Sequence, residues 1–328
     1  MPNDSRPVVV ITRKLPASVE AAVAARYDAR LNRTDVAMSG EQLADAMKQA
    51  DVLFCTVTDR VRAEQMSGNT RVRLIANFGV GVNHIDLEAA RRAGITVTNT
   101  PDVLTDDTAD LALALILMSM RRLGEGERHL RSGAWSGWRP THMMGRSARG
   151  KTLGIIGYGR IGRAVARRAV SALGMRVLWH APRDPAIDDP STAGPDGSER
   201  ASSVEELLRR SDVVSLHCPA TPETRHLINA ETLRLMKPDA YLVNTARGDV
   251  VDEHALATAL REQHIAGAGL DVYEFEPSVV ADLKDMQNVV LLPHMGSGTV
   301  ETRTAMGERA LANIDAFMND GQPPDRVV

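Results

Sequence analysis

Arginine, glutamate and histidine residues follow apolar, strand-like segments in the last third of the chain, and their side chains could do acid-base chemistry. Arg247, Glu276 and His294 each come shortly after such a segment. In open α/β sheets, ligands bind beyond the carboxyl ends of the strands. A guanidinium can grip a carboxylate with two parallel hydrogen bonds, and a carboxylate beside an imidazole favours the protonated ring. The three residues predict a site that binds a carboxylate and transfers a proton, although His294 taken alone fits a structural role better.

A glycine-rich turn in the middle of the chain has the spacing of a dinucleotide-binding loop. Gly157, Gly159 and Gly162 follow an apolar run and open a helix-like stretch that ends near Leu173. The first glycine permits the turn, the second lets the backbone approach a pyrophosphate, and the third allows close helix packing. N–H groups at the start of a helix bind phosphate. Such spacing also occurs in ordinary turns, but here a second strand-like segment follows in the expected order.

The end of that second strand-like segment bears on the choice of cofactor. An NAD site usually carries an acid there, about 20 residues beyond the loop, to bind the ribose 2′-hydroxyl. This chain instead has Trp179-His180-Ala181-Pro182-Arg183, and the first acid is Asp184. Arg183, alone or with His180, could pair with a 2′-phosphate. The segment therefore predicts NADPH in preference to NADH, with NADH as the alternative cofactor; Arg183 could also be an ordinary solvated loop residue.

Strand-like and helix-like segments alternate along the chain, which predicts an α/β protein with parallel sheets. We expect two Rossmann-like, doubly wound domains. A dinucleotide-binding domain, residues 102–293, is inserted in a discontinuous flavodoxin-like substrate domain, residues 1–101 plus 294–328. A final helix near 301–318 should pack back on the first unit. The predicted strands are 8–11, 52–56, 74–77 and 95–98 in the first unit, and 153–156, 176–180, 213–216, 241–244, 267–270 and 289–292 in the second.

Composition argues against several classes of function. The 328 residues carry a formal net charge of -3 and 3% aromatic residues, which favours neither nucleic acid nor an anionic membrane as partner. Cys55 and Cys218 lie in apolar contexts and are expected to be buried, free thiols. No histidine and acid cluster has metal-ligand spacing, so no metal is expected. The short apolar run near the first residues is not a signal-peptide core, and we expect a cytoplasmic protein.

Over essentially its full length the chain resembles the D-isomer-specific 2-hydroxyacid dehydrogenases. The motifs that carry the resemblance occur in the family's order: residues 78–86 (FGVGVNHID), 157–162 (GYGRIG), 244–248 (NTARG), 271–277 (DVYEFEP) and 293–297 (PHMGS). Residues 293–306 are most similar to the glyoxylate/hydroxypyruvate reductase branch.

The resemblance implies a role for each matching residue. Arg247 would bind the substrate carboxylate and carbonyl, His294 would be the acid-base group, and Glu276 would pair with it. The backbone N–H groups of Val80 and Gly81 would also hold the carboxylate. The remaining residues implied to contact the cofactor are Thr108, Arg160, Ile161, Thr245 and Asp271. A homodimer is implied as well, in which Trp138 would close the substrate site of the neighbouring subunit, although Trp138 could instead anchor its own loop.

The expected reaction is reduction of small 2-keto acids to D-2-hydroxy acids, with glyoxylate and hydroxypyruvate first. A relative that acts on 2-ketogluconate or pyruvate would keep the same catalytic residues, so those substrates stay open. Formate oxidation is not expected, because formate-oxidising relatives carry glutamine at the position of Glu276. A nucleotide-sensing interaction protein of the same fold is the alternative from another class, and the intact Arg247, Glu276 and His294 set argues against it.

Overall fold

The computed structural model describes residues 6–182 and 197–328. The chain divides into two compact units, of which the first comprises Met1–Leu104 with Gly298–Val328 and the second comprises Thr105–Ser297. The chain therefore leaves the first unit, completes the second and returns. The assignment of a substrate role to one unit and a cofactor role to the other stays a prediction.

The first unit is built on a five-stranded parallel sheet. Its strands, in spatial order β2-β1-β3-β4-β5, follow the flavodoxin-like order 2-1-3-4-5. The strands are β1 (Val8–Ile11), β2 (Asp28–Leu31), β3 (Val52–Thr56), β4 (Leu74–Phe78) and β5 (Thr96–Thr98), and the helices are α1 (Ala17–Arg26), α2 (Gly40–Gln49), α3 (Ala63–Met66) and α4 (Leu87–Arg92).

The second unit contains a seven-stranded parallel sheet in the order β12-β11-β10-β9-β6-β7-β8. The strands are β6 (Thr152–Ile156), β7 (Arg176–His180), β8 (Glu199–Arg200), β9 (Val213–Leu216), β10 (Tyr241–Asn244), β11 (Gly267–Leu270) and β12 (Val289–Leu291). The described helices are α5 (Thr105–Met120), α6 (Leu123–Arg131), α7 (Arg160–Leu173), α8 (Val204–Arg210), α9 (Ala230–Leu233), α10 (Glu253–Arg261) and α11 (Ala281–Asp285), with a 3₁₀ turn at Gly248–Val250.

The final helix, α12 (Val300–Asp320), packs against α1 and β4 of the first unit, as the sequence predicts. The contact with α1 is close because Gly307 has no side chain. A Cβ atom at Gly307 would lie 2.4 Å from Cγ2 of Val19. The glycine therefore lets the two helices approach each other.

The predicted α/β class with two doubly wound parallel sheets is confirmed, but each sheet has one strand more than the sequence indicated. The additional strands, β2 and β8, lie at sheet edges and carry exposed residues. Apolar runs predict strands that are buried on both faces, so these two were missed. Cys55 and Cys218 are buried and free, as expected. No helix within the described ranges has the length and apolar character needed to cross a membrane.

Candidate active site

His294 and Glu276 form a hydrogen-bonded pair beyond the carboxyl edge of the second sheet. Nδ1 of His294 lies 2.9 Å from Oε2 of Glu276, and the two side chains are 32% and 34% exposed. Burial by itself raises the pKa of Glu276, but the hydrogen bond and charge interaction with His294 outweigh burial, so this pKa lies below its usual value. The backbone N–H of Tyr273 also donates to Glu276, at 3.1 Å. An ionised carboxylate therefore orients an imidazole that still reaches solvent.

The loop that carries His294 is held by Asp271. The N–H groups of Met295 and Gly296 donate to the two carboxylate oxygens of Asp271, at 2.6 and 2.8 Å, and the N–H of His294 donates to its carbonyl at 2.9 Å. His294 has a φ of 54°, in the left-handed region that few residues other than glycine adopt. Such strain persists only where the surroundings fix it. Asp271 thus fixes the direction of the catalytic candidate.

Arg247 follows β10 and lies partly buried beside the same pair. Asn244, the last residue of β10, donates from Nδ2 to the Arg247 carbonyl at 2.8 Å and accepts from the Ala246 N–H at 3.0 Å. Burial lowers the pKa of Arg247, and the charges of Glu276 and Asp249 oppose this effect. The guanidinium keeps its charge because even a lowered arginine pKa is far above neutrality. The second unit therefore brings Arg247, Glu276 and His294 together.

A close backbone contact aligns the Arg247 loop with the Glu276 loop. A Cβ atom at Gly248 would lie 1.8 Å from the carbonyl carbon of Tyr273, so only glycine fits. Glu253 supports the same region, since it accepts from the Glu274 N–H at 2.6 Å. Burial raises the pKa of Glu253. This glutamate had not been predicted, because nothing in the sequence distinguishes it from other acids in a first helical turn.

The glycine loop has the shape that a pyrophosphate requires. Gly157 has a φ of 93°, and a Cβ atom there would lie 2.4 Å from the Cys218 nitrogen; a Cβ atom at Gly162 would lie 2.2 Å from the Gly157 carbonyl oxygen. At Gly159, which precedes α7, a Cβ atom would point into open space. The outer glycines are thus required by packing. The middle one leaves open the approach that a phosphate needs, with Arg160 and Ile161 starting the helix.

Thr245 supports the same reading of the site. Its Oγ1 atom is buried, and it has no hydrogen-bond partner among the described residues. A buried hydroxyl without a hydrogen-bond partner destabilises the fold. A bound group that supplies such a partner would therefore stabilise this site. Thr108, in the first turns of α5, already donates from Oγ1 to the Gly296 carbonyl at 3.0 Å. Of the predicted cofactor residues, Thr108 and Asp271 therefore also organise the His294 loop.

The predicted cofactor-selecting segment is described only in part. The ring of Trp179, in β7, stacks on Tyr158 of the glycine loop, with centroids 4.3 Å apart and planes inclined by 9°. Nδ1 of His180 lies 3.1 Å from the Ala201 carbonyl oxygen. Arg183 lies outside the described residues, so its predicted contact with a 2′-phosphate stays a prediction.

Val80 and Gly81 belong to a turn of the first unit after β4. The Asn77 side chain donates to the Gly81 carbonyl at 3.0 Å, and Asn99 donates to the Val80 carbonyl at 2.9 Å. Carbonyl groups anchored in this way leave the N–H groups of the turn for an anion. Asn77 was not predicted, although an asparagine that ends a strand before a glycine turn is a recognisable signal.

Trp138 lies in the segment after α6 and is 81% exposed. It does not anchor its loop by burial. The neighbouring Trp135 is 49% exposed. The role predicted for Trp138 at a second subunit is therefore still open to test.

Comparisons with known proteins identify the family of the chain. Residues 113–296 match the family model for the D-isomer specific 2-hydroxyacid dehydrogenase, NAD binding domain. The chain is 42% identical over 327 residues to a glyoxylate reductase from Thermococcus onnurineus, covering 98% of this chain and 96% of the relative. The chain belongs to the D-isomer specific 2-hydroxyacid dehydrogenase family. It is an NAD(P)-dependent oxidoreductase.

Solved structures share the whole architecture. The TT0316 protein from Thermus thermophilus is 44% identical with a TM-score of 0.89, covering 98% of this chain and 100% of that one. An NADPH-dependent glyoxylate/hydroxypyruvate reductase from Sinorhizobium meliloti, in complex with NADP and malonate, is 33% identical with a TM-score of 0.86, covering 99% of this chain and 97% of that one.

Proposed function

We propose that the chain reduces glyoxylate and hydroxypyruvate to the corresponding hydroxy acids, with NADPH as the preferred cofactor. The observation that carries the proposal is the Glu276–His294 pair, joined at 2.9 Å beside a partly buried arginine. The relative from Thermococcus onnurineus is a glyoxylate reductase and the one from Sinorhizobium meliloti a glyoxylate/hydroxypyruvate reductase, which supports the same substrates. The reaction class follows from the family, and the residue roles given below are part of the proposal.

Each of the three side chains has a separate role. Arg247 binds the substrate carboxylate and stabilises the negative charge that develops on the carbonyl oxygen. His294 donates a proton from Nε2 to that oxygen, because Nδ1 is engaged by Glu276. Glu276 engages Nδ1 and keeps the ring oriented. In the reverse direction the imidazole accepts the proton from the hydroxyl group.

The glycine loop and the first turn of α7 would hold the pyrophosphate, and Thr245 would face the nicotinamide end. A bound nicotinamide supplies the hydride for the keto carbon. The remaining residues orient the reactants and keep the proton donor in line.

The NADPH preference is argued from the end of β7, where His180, Ala181 and Pro182 stand in place of the usual acid. A carboxylate at this position would repel a 2′-phosphate. The NADP complex of the Sinorhizobium meliloti relative supports the same cofactor.

The proposal includes a homodimer. The segment from α6 to residue 144 exposes five large apolar side chains, and none of the α6 residues is buried. Large apolar side chains exposed together in one segment favour a protein interface. The exposed residues are Leu123, Leu130, Trp135, Trp138 and Met144. Sedimentation equilibrium should give twice the chain mass, and a monomer at micromolar concentration would contradict this assembly.

The decisive experiment follows the loss of nicotinamide absorbance with NADPH and, separately, with NADH. Glyoxylate, hydroxypyruvate, pyruvate and 2-ketogluconate are compared as substrates over a concentration series. We expect saturable oxidation of NADPH with the first two and a lower kcat/KM with NADH. Equal efficiency with both cofactors would refute the NADPH preference. Efficient turnover only with pyruvate or 2-ketogluconate would refute the substrate assignment, and no turnover with any of them would favour the sensing alternative.

A further inference from the structure

Arg200 lies where the second strand of the dinucleotide fold ends. It is the last residue of β8, and its Cα partner in β7 is Trp179. Its Nη2 atom donates to the carbonyl of Ala181 at 3.1 Å, one residue beyond the end of β7. Its guanidinium carbon lies 5.4 Å from the centroid of the Trp179 ring. Two contacts of different kinds thus hold this positive charge at the end of β7.

The surroundings of Arg200 connect it to the glycine loop. Trp179, which the guanidinium overlies, stacks in turn on Tyr158 between the first two glycines. Arginine on an indole face is stabilised by the ring quadrupole and keeps its planar group in a defined orientation. The positive charge is therefore fixed relative to the loop that would bind the pyrophosphate.

Two acids near Arg200 along the chain are engaged by another arginine. Glu199 and Glu206 both accept from Arg210, and Glu206 also accepts from the Ser202 hydroxyl. A guanidinium has five N–H donors, so it can serve several partners at once, an anionic oxygen among them. The side chain is exposed to solvent, which gives a ligand access.

We propose that Arg200 binds the 2′-phosphate of the adenosine ribose and makes the enzyme select the phosphorylated cofactor. This inference deepens the proposed NADPH preference and rests on it. It assigns selection of the 2′-phosphate to a residue of β8, a strand that the dinucleotide-binding motif does not include. Trp179 is a positioning residue in this assignment, because it acts through the guanidinium.

The test measures binding without any keto acid. Isothermal titration calorimetry of the full-length protein compares 2′-phospho-ADP-ribose with ADP-ribose for the wild type, Arg200→Gln and Arg209→Gln. Arg209 is an exposed arginine in α8, so its replacement is a control for the same change in net charge. Selectivity is the dissociation constant for ADP-ribose divided by that for 2′-phospho-ADP-ribose. We expect this ratio to fall about tenfold or more in Arg200→Gln, which is the size of a lost charge-assisted hydrogen bond. The ratio should stay within about twofold in Arg209→Gln.

Two outcomes would overturn the assignment. One is an unchanged ratio in Arg200→Gln, and the other is a wild type that binds ADP-ribose as tightly as its 2′-phosphate. The selectivity should also weaken as salt rises from about 50 to about 300 mM, because the group is exposed. Turnover is measured separately, so a protein that reduces no keto acid would refute the proposed function while the binding ratio still decides the role of Arg200.

Discussion

At the scale of single residues, the direction of the His294 side chain is set by its backbone. The left-handed φ of 54° and the bonds to Asp271 leave the ring little freedom. We expect His294→Asn to lower kcat by about 10²–10⁴, the usual contribution of a positioned acid-base group. Asparagine tolerates the left-handed region, so the melting temperature should change little. Turnover close to that of the wild type would contradict the role of His294.

The charge of Glu276 should make the stability of the protein depend on pH. Its folded pKa lies below its usual value, so the stability it contributes is present above the unfolded value and is lost as pH falls through the folded one. In Glu276→Gln a neutral amide replaces the anion and takes up no proton in acid. The loss of stability on the acid side, measured by urea unfolding at a series of pH values, should therefore be smaller in this variant than in the wild type. Equal losses in the two proteins would show that the ionised carboxylate contributes nothing to stability.

The sequence predicts the side chains that the sheet edge brings together better than the side chains that hold the loops. Arg247, Glu276 and His294 each follow a buried strand, so the shared edge of a parallel sheet brings them together. Glu253 acts on a loop 21 residues away through a backbone N–H group, and no local pattern marks such a contact. Asp271 was predicted as a cofactor residue, and its bonds to the His294 loop could not be read from spacing.

At the scale of elements, different glycines in the turn from β6 to α7 serve packing and cofactor binding. We expect Gly159→Ala to retain the wild-type melting temperature, because a Cβ atom there meets nothing within 4 Å. Cofactor affinity should fall about tenfold or more, since the side chain occupies the approach of the pyrophosphate. Gly157→Ala is the matched variant and should itself lose stability, because its φ is positive and its Cβ would contact the Cys218 nitrogen. Fluorescence titration with NADPH and thermal melts distinguish the two effects.

The contact between α12 and α1 gives a second element-scale prediction. Alanine normally favours a helix over glycine by about 1 kcal/mol. At Gly307 the added methyl would lie 2.4 Å from Val19, and overpacking of this kind costs about 1–3 kcal/mol. Gly307→Ala should therefore lower the free energy of unfolding in urea. Gly126→Ala in α6 is the control, because its methyl would meet its nearest neighbour at 3.8 Å. If both variants were equally stable, the close contact would have no energetic weight.

The bounds of a strand were predictable where both of its faces are buried. Several of the strands in the second unit were predicted at their observed bounds, such as β9 and β10, in which every residue is buried. β2 alternates between partly buried and exposed positions at a sheet edge, and β8 has only two residues. α6 was missed because none of its residues is buried against the rest of the chain.

At the scale of the whole molecule, a partly buried histidine makes the free energy of unfolding depend on pH. His217 follows β9, and its Nε2 lies 2.8 Å from the Ser215 hydroxyl; burial lowers its pKa to about 3. The unfolded chain takes up a proton below about pH 6.5, which the folded chain does not. Stability should thus be complete above about pH 6.5 and fall by at most about 1.4 kcal/mol per pH unit below it. Urea unfolding from about pH 8 to about pH 5 should give a steeper loss for the wild type than for His217→Gln, and equal slopes would exclude this contribution.

The return of the chain to its first unit has a consequence for biosynthesis. A ribosome makes the protein from the amino end, so residues 105–297 are all available before α12 has been made. The inserted unit can therefore acquire its native fold during translation. By contrast, β4 is not covered until the helix that packs on it has been made. Until residues 298–328 emerge, the earlier-made strands of the first unit stay incompletely covered and exposed to aggregation and to chaperones.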